Sequence, residues 1–297
     1  MSKTFSDRLA AAILEKRSHV VLGLDPDYSL LPPEILGTGA GPTPSAEETC
    51  EAYRRFILPL LEALREDVVA VKIQAAFFEA LGWKGVELFA EAVDEAQRLG
   101  YLVIADAKRG DIGNTAEAYA RAHLDVVGAD ALTVNPYFGT DGMEPFLRRT
   151  RTEGKGLFVL VKTSNPSSSD LQDLVLADGR LVYEAVGDLV QRWGRDSRGG
   201  RGWSAVGAVV GGTHPAQAQQ LRRRLPKVPF LIPGYGAQGA TASDLQGLFG
   251  ADRVGAVVNS ARAILYAYRT GGKPWLEAAR EEAAAMRRAL WEVAGRG

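Results

Sequence analysis

Short runs of apolar residues recur along the chain, and segments with helical patterns lie between them. The runs are rich in Val, Ile and Leu and do not alternate cleanly with polar residues, which is typical of parallel strands covered on both faces. They predict eight strands, at 20–25, 68–73, 101–107, 131–135, 156–164, 205–212, 230–234 and 255–260. Eight strands that alternate with helices indicate the α/β class and a single-domain (β/α)8 TIM barrel over residues 1–297. An open, doubly wound sheet is the alternative for this pattern.

Helix signals fall between the predicted strands. Ser45 and Glu48 have the spacing of a capping box, and Asn114 is expected to cap another helix. The predicted helices cover 4–17, 45–64, 86–99, 114–127 and about 275–293, and two more are expected to begin at 214–215 and 241–244. The barrel itself is expected to span about 20–270, between the first and last of these helices.

Three segments depart from the repeat of strand and helix. Residues 37–44 form a loop of Gly, Pro and Thr, and residues 165–180 are polar and rich in Ser and Asp, so we expect a mobile excursion at 165–180. Residues 194–202 carry Arg195, Arg198 and Arg201 among glycines. Solvated charge is the simplest account of that loop, and contact with an anion is the alternative.

The composition narrows the class of protein. Hydrophobic residues make up 46% of the 297 residues and charged residues 24%, which is typical of a soluble globular protein. A formal net charge of −1 gives no general attraction to nucleic acid or to an anionic membrane, and no apolar run approaches the roughly 20 residues that span a bilayer. Cys50 is the only cysteine, so the sequence predicts no intramolecular disulfide and favours a cytoplasmic location.

Each predicted strand ends in polar or glycine-rich sequence, and C-terminal strand ends are where a parallel barrel carries its chemistry. The third end holds the most charge, in the sequence DAKRGDI at 106–112. On a strand Asp106 and Lys108 would share a face, and Gly110 would let the chain turn so that Asp111 points elsewhere. Such charges are costly unless they compensate one another or meet a charged ligand, so we predict a site here. Taken alone, the stretch also fits a surface turn with solvated charges.

Lys72, at the end of the second predicted strand, would join Asp106, Lys108 and Asp111 in one network. Each opposite charge favours the ionised form of its neighbour, so both lysines would be protonated. A protonated lysine can act as a general acid toward carbon. The three histidines stand alone in the sequence, so no metal site is indicated.

The ends of the last two strands have the features of a phosphate site. Gly234, Gly236 and Gly239 can expose backbone N–H groups to an anion, and Arg262 follows the eighth strand. The loops after strands seven and eight are the usual phosphate site of this barrel. We therefore predict that the ligand carries a phosphate group.

These residues together resemble the orotidine 5′-phosphate decarboxylase family, over the barrel from Asp25 to Arg262. The most specific match is Asp-x-Lys-x-x-Asp-Ile-x-Asn-Thr at 106–115, supported by Lys72 and by the sequence PGYGAQG at 233–239. The sequence KTSNP at 162–166 is similar to the longer bacterial branch of that family.

The resemblance implies a catalytic role for several residues. Lys108 would protonate C6 of the pyrimidine as or after carbon dioxide leaves, and Asp106 would lie against the substrate carboxylate. Lys72 would orient Asp106 and touch the ribose. Asp111 and Thr115 would reach into the site of a neighbouring subunit, so the active unit would be a homodimer.

The resemblance also implies the residues that bind orotidine 5′-monophosphate. Asp25 would bind a ribose hydroxyl, and Ser164 would bind the edge of the pyrimidine. Gly236, Gln238 and Arg262 would hold the phosphate. No metal and no organic cofactor would be needed, because fixed protein charges would stabilise the developing carbanion.

Three alternatives stay open on the sequence. Related barrels share the Asp-x-Lys-x-x-Asp pattern but use a metal with sugar phosphates, and they would be expected to have an acidic ligand where this chain has Lys72. A non-catalytic sensor of a phosphorylated ligand would keep the glycine-rich loop and Arg262 but has no need of two lysines interleaved with aspartates. A structural oligomer scaffold is the third alternative, and the polar strand ends argue against it.

Overall fold

Eight parallel strands close into a barrel in which each strand pairs with the next along the chain and the last pairs with the first. The computed structural model describes residues 3–36, 44–236 and 239–295. The strands are β1 (Val20–Leu24), β2 (Ala70–Gln74), β3 (Leu102–Arg109), β4 (Ala131–Val134), β5 (Gly156–Lys162), β6 (Val206–Val210), β7 (Phe230–Ile232) and β8 (Ala256–Ser260). The predicted (β/α)8 barrel is therefore confirmed, and the open sheet is excluded.

Helices connect the strands and cover the outside of the barrel. They are α1 (Phe5–Lys16), α2 (Pro33–Leu36), α3 (Ala46–Ala63), α4 (Ala75–Glu79), α5 (Gly82–Arg98), α6 (Gly113–Ala120), α7 (Gly139–Thr152), α8 (Ser169–Gln172), α9 (Val182–Trp193), α10 (Pro215–Arg224), α11 (Arg262–Leu265), α12 (Tyr268–Gly271) and α13 (Trp275–Ala294). A π-helical turn, Arg121–Val126, continues α6. No helix in the described ranges is long and apolar enough to cross a membrane.

The N-terminal helix closes the end of the barrel that lies opposite the strand C-termini. Phe5, Leu9 and Ile13 of α1 are buried in the same apolar cluster as the inward-facing residues of the strands. The ring of Phe5 meets Phe158 of β5 edge to face, with 5.9 Å between the ring centroids. Gly156 leaves the space for that ring, because a Cβ atom there would lie 2.3 Å from it. The apolar face of α1 therefore seals the barrel floor.

Several helix boundaries follow the sequence and others do not. The Ser45 capping box opens α3, since Ser45 Oγ accepts from the Glu48 N–H and Glu48 Oε2 accepts from the Ser45 N–H. The prediction that a helix begins at 241–244 is wrong, because only a 3₁₀ turn, Ser243–Leu245, forms there. Gly247 and Gly250 follow it with φ values of +80° and +75°, and these positive values end any helical course.

The start of α6 also differs from its prediction. Asn114 was expected to cap this helix, but α6 begins at Gly113, and its N-cap is Ile112 without a side-chain hydrogen bond. Asp111 Oδ1 instead accepts from the Ile112 N–H at 2.8 Å. This local turn uses the acidic side chain ahead of the helix, so Asn114 lies within the first turn.

Two of the three irregular segments can be placed. Segment 165–180 contains a 3₁₀ turn, Pro166–Ser168, then α8, and its Val175 forms a β-bridge with Leu181 just beyond it. Segment 194–202 precedes β6, so it lies at the closed end of the barrel, where the N–H groups of Gly200 and Arg201 donate to Asp7. The arginine-containing loop is therefore at the opposite end from the strand C-termini. Residues 37–43 lie outside the described residues.

Candidate active site

A cavity of about 440 Å³ opens at the C-terminal end of the barrel, and all eight strands or their immediate ends contribute to its wall. One side is polar and charged, with Asp25, Lys72 and Asp106 from β1 to β3. The opposite side is apolar at Val209 and Leu231, from β6 and β7. A ligand that fits it would therefore have one charged or polar region and one apolar region.

Asp106 is the centre of the charged side. Its Oδ2 atom lies 2.7 Å from Nζ of Lys72, and its Oδ1 atom lies 2.6 Å from Nζ of Lys108. Lys72 also reaches Asp25, at 3.5 Å. The Lys72 and Asp106 side chains are 6% and 8% exposed, whereas that of Lys108 is 46% exposed. Lys108 is therefore the lysine that remains accessible to a ligand in the cavity.

Two neutral side chains complete the bonds to Asp106, and neither was predicted as a site residue. Thr133 Oγ1 on β4 donates to Oδ1 at 2.9 Å, and Gln74 Nε2 at the end of β2 donates to Oδ2 at 3.0 Å. Each carboxylate oxygen thus accepts from one lysine and one neutral donor. The sequence offered only the position of Thr133 and Gln74 at strand ends as a signal.

The ionisation of the buried pair, Asp106 and Lys72, is determined by the charged groups around it. Burial alone would raise the pKa of Asp106, but the ammonium groups of Lys72 and Lys108 lower it well below its usual range. Burial alone would lower the pKa of Lys72, and the carboxylates of Asp106 and Asp25 reverse this, so that its pKa is raised. At neutral pH Asp106 is a carboxylate and Lys72 an ammonium ion.

The backbone at Lys108 leaves the strand conformation. Its φ is +49°, in the left-handed region that residues other than glycine rarely adopt, and the pairing of β3 with β4 shifts register between Ala105 and Arg109. The Lys108 N–H donates to Thr133 Oγ1 at 3.0 Å. The side chains of Asp106 and Lys108 still meet, as predicted, but a bulge and not regular strand alternation brings them together.

Asp111 and Thr115 do not line the cavity of their own chain. Asp111 lies beyond the bulge, and Thr115 is exposed on α6. Neither side chain makes an ion pair or hydrogen bond with Lys72 or Lys108 among the described residues. The single network of four charged residues expected from the sequence therefore contains Asp25 in this chain, and Asp111 is outside it.

The phosphate site predicted at the ends of β7 and β8 is present in part. Arg262 lines the cavity at the start of α11 and is exposed, and Gly234 and Tyr235 lie beside it. The Gly236 and Gly239 N–H groups donate within the loop, to the carbonyls of Ala240 and Gly236. These two N–H groups are thus not directed at the cavity here. Gln238 lies outside the described residues.

The remaining wall is formed by the ends of β5 and β8. Ser164 is half-buried at the cavity, and Gly211 allows its close approach, since a Cβ atom there would lie 2.9 Å from the Ser164 Cα. Asn259 of β8 was not predicted as a site residue. It is 8% exposed, lines the cavity, and its Oδ1 atom has no hydrogen-bond partner among the described residues. Asn259 is therefore a polar group available to a ligand.

No group of three or more His, Cys, Asp or Glu side chains within 3–36, 44–236 and 239–295 is arranged to hold a metal ion. The acidic residues of the cavity, Asp25 and Asp106, are both bonded to Lys72. The ammonium group of Lys72 occupies the position between these carboxylates where a cation could otherwise bind.

Comparison with known proteins places this geometry in a family. The model of the orotidine 5′-phosphate decarboxylase / HUMPS family matches residues 18–273. An orotidine 5′-phosphate decarboxylase of Rhodopirellula baltica is 41% identical over 273 residues, which cover 90% of this chain and 89% of the relative. The solved Leishmania donovani OMP decarboxylase is 32% identical with a TM-score of 0.73, covering 96% of this chain and 99% of that one. A solved Streptomyces avermitilis protein is 35% identical with a TM-score of 0.82, covering 100% and 97%.

Proposed function

The chain belongs to the orotidine 5′-phosphate decarboxylase / HUMPS family and is a carboxy-lyase, and on that premise we propose that it converts orotidine 5′-monophosphate to UMP and carbon dioxide without a metal. This reaction would serve the synthesis of UMP. The observation that carries the proposal is the arrangement of one buried carboxylate, Asp106, between a buried lysine and an accessible one.

The proposed reaction breaks the bond between C6 of the pyrimidine and its carboxylate. The electron pair of that bond stays on C6, and carbon dioxide leaves. Lys108 then gives a proton from its ammonium group to C6 and regains one from solvent. Lys108 fits this role because its side chain is partly exposed at the cavity, whereas Lys72 is enclosed.

Asp106 is proposed to destabilise the ground state of the bound substrate and to position Lys108. As a carboxylate it would face the carboxylate of the substrate, and their repulsion would be relieved when carbon dioxide leaves. It would also hold Lys108 ready near C6, since its Oδ1 atom is 2.6 Å from Nζ. Lys72 would fix Asp106 through its other oxygen, 2.7 Å away, and touch the ribose. Fixed charges of this kind stabilise a developing negative charge without reorganisation.

Binding of the remaining substrate groups is assigned to the rest of the cavity. Asp25 would accept from a ribose hydroxyl, and Ser164 would bond the pyrimidine edge. Arg262 would pair with the phosphate, aided by Gly236 and Gln238. Because the Gly236 N–H donates to the Ala240 carbonyl, we expect this bond to break when the N–H binds phosphate.

We also propose that the active unit is a homodimer with shared sites. Asp111 and Thr115 stand outside the cavity of their own chain, as residues that serve a neighbouring site would. Beside Asp111 the surface is apolar, because Ile112 is 58% and Phe138 46% exposed. A second copy would cover this surface and bring its own Asp111 to the cavity.

No nucleic acid, membrane or organic cofactor has a part in this proposal, and the location we propose is the cytoplasm. A metal-dependent reaction on a sugar phosphate is the main competitor within the same family. It is disfavoured because Lys72 lies against both Asp25 and Asp106. A non-catalytic sensor is disfavoured because binding alone gives no use for an accessible lysine held against a carboxylate.

The test is product analysis after incubation of the purified protein with orotidine 5′-monophosphate in D₂O. UMP carrying deuterium at C6, formed in equal amount to carbon dioxide, would support the proposal. No UMP, together with magnesium-dependent conversion of a sugar phosphate, would overturn it. Binding of UMP without any turnover would overturn it in favour of the sensor.

A further inference from the structure

Arg109 follows Lys108 directly, does not line the cavity, and is held at four points. Its Nε–H donates to Nε2 of His123 at 3.2 Å, and Nη1 donates to the Ala107 carbonyl at 3.2 Å. Its Nη2 atom pairs with Glu79, and the guanidinium lies over the ring of Tyr119, 5.5 Å from the centroid. Nothing in the proposed reaction uses this side chain.

The partners of Arg109 come from separate elements around the end of β3. Glu79 ends α4, Tyr119 lies in α6, and His123 lies in the π-helical turn that continues α6. Single π-helical turns are uncommon and frequently lie at functional sites. Here the turn carries the buried His123, which is 8% exposed, to the guanidinium.

His123 acts toward Arg109 as a hydrogen-bond acceptor. Because an arginine Nε can only donate, His123 Nε2 must be unprotonated in this contact. Burial and then the charge of Arg109 lower the pKa of His123 to about 4, so the ring is neutral at neutral pH. Its Nδ1 atom has no partner among the described residues. The contact with Arg109 is thus the hydrogen bond that this buried ring makes in the described structure.

The four contacts of the Arg109 side chain form a clamp, and the neighbouring Lys108 is the residue that this clamp would support. A left-handed conformation is unfavourable for a non-glycine residue, and it persists only where the surroundings fix it. Lys108 has this conformation, and its N–H donates to the side chain of Thr133. The next fixed point is Arg109, whose carbonyl accepts from the Asn135 N–H at 2.8 Å and whose side chain is clamped.

We infer that Arg109, held by His123 and Glu79, is a positioning residue that keeps the Lys108 ammonium group at the reacting carbon. The inference rests on the proposed role of Lys108. Without the clamp, the bulge can relax toward ordinary strand geometry, and Nζ of Lys108 moves from its place beside Asp106. Substrate binding depends on other strand ends and is retained.

The first variant is Arg109→Met, which keeps much of the side-chain volume and removes every polar contact of the side chain. We expect kcat for orotidine 5′-monophosphate to fall about 100-fold, the scale of a misplaced catalytic group. KM and the dissociation constant of UMP are expected to change less than about twofold. Arg54→Met is the matched control. Arg54 of α3 also joins two helices, because it pairs with Glu91 of α5 as well as with Glu51 in its own helix, but it is remote from the cavity. Its kcat should equal that of the wild type.

A second pair of variants tests the acceptor at His123. His123→Phe keeps an aromatic ring beside Phe89 and removes the acceptor, so kcat should fall about tenfold or more. His123→Gln keeps an acceptor oxygen and should recover most of that loss. His19→Phe is the control and should have the kcat of the wild type, because His19 is also a buried histidine but lies just before β1, away from the cavity.

The outcomes separate this inference from the proposed function. Wild-type decarboxylation with unchanged kcat in both Arg109→Met and His123→Phe overturns the inference alone. A parallel loss of UMP affinity and kcat also overturns it, because the variants would then disturb the whole site. A wild-type protein that does not decarboxylate orotidine 5′-monophosphate overturns the proposed function and the inference with it.

Discussion

Nζ of Lys108 lies 2.6 Å from Oδ1 of Asp106, although the main chain at Lys108 departs from regular strand conformation within β3. A regular strand would have directed both side chains to one face from main-chain positions roughly 7 Å apart. The bulge instead folds Lys108 back over the carboxylate, and Thr133 bonds both residues, through the Lys108 N–H and through Asp106 Oδ1. The reactive lysine is thus placed by the backbone as well as by its ion pair.

Replacement of Lys108 by alanine is expected to abolish decarboxylation and leave the barrel folded. General-acid groups contribute about 10²–10⁴-fold in rate, and here the Lys108 ammonium group also compensates the negative charge of Asp106. Steady-state turnover and the circular dichroism spectrum check this, with Lys84→Ala as the surface control. Turnover like that of the wild type in Lys108→Ala would remove the proposed role of this residue.

Asp106→Asn is expected to change how stability depends on acid pH. The folded-state pKa of Asp106 is lowered, so the carboxylate adds stability above its unfolded pKa of about 4 and loses it as the pH falls below that value. The difference in unfolding free energy between wild type and Asp106→Asn should therefore shrink from about pH 4 downward, by at most about 1.4 kcal/mol per pH unit. Urea unfolding from pH 7 to pH 2.5 measures it. A constant difference across that range would contradict the charged state of Asp106.

Arg262→Ala is expected mainly to weaken binding. Loss of charge-assisted bonds to phosphate costs roughly 2–3 kcal/mol, which is about 30- to 150-fold in affinity. Calorimetry with UMP and with uridine separates the effect, since uridine lacks the phosphate and should bind both proteins equally. Equal affinity of wild type and Arg262→Ala for UMP would show that the phosphate lies elsewhere.

Mixing two inactive variants tests the shared site. If Asp111 serves the neighbouring subunit, Asp111→Ala and Lys108→Ala are each inactive, but a dimer with one chain of each has one intact site. Random exchange of equal amounts should then restore about a quarter of wild-type activity in a two-fold dimer. Activity after mixing, with each variant alone as the control, gives the result. No recovery despite proven subunit exchange would place Asp111 in the site of its own chain.

The sequence was sufficient to predict the barrel, because buried parallel strands have a continuous apolar pattern that differs from the helical spacing between them. It also predicted that Lys72, Asp106 and Lys108 meet, since C-terminal strand ends converge in this fold. Asp111 was expected in the same network, and its place outside depends on the turn at 110–112, which residue types alone do not determine.

Other parts of the site depend on long-range contacts that a sequence pattern does not contain. Thr133 and Gln74 are ordinary residues until the closed barrel brings them to Asp106. The clamp on Arg109 needs a π-helical turn, which has no distinct signal in a helical pattern, to carry His123 to it. The helix expected at 241–244 was wrong because local capping residues were outweighed by the glycines that follow.

The most direct test of the account is the loss of absorbance of orotidine 5′-monophosphate with purified protein in excess EDTA. The account predicts turnover that EDTA does not reduce, because Lys72, Asp106 and Lys108 supply the charges that the reaction needs. No turnover in EDTA, with activity restored by magnesium, would contradict it.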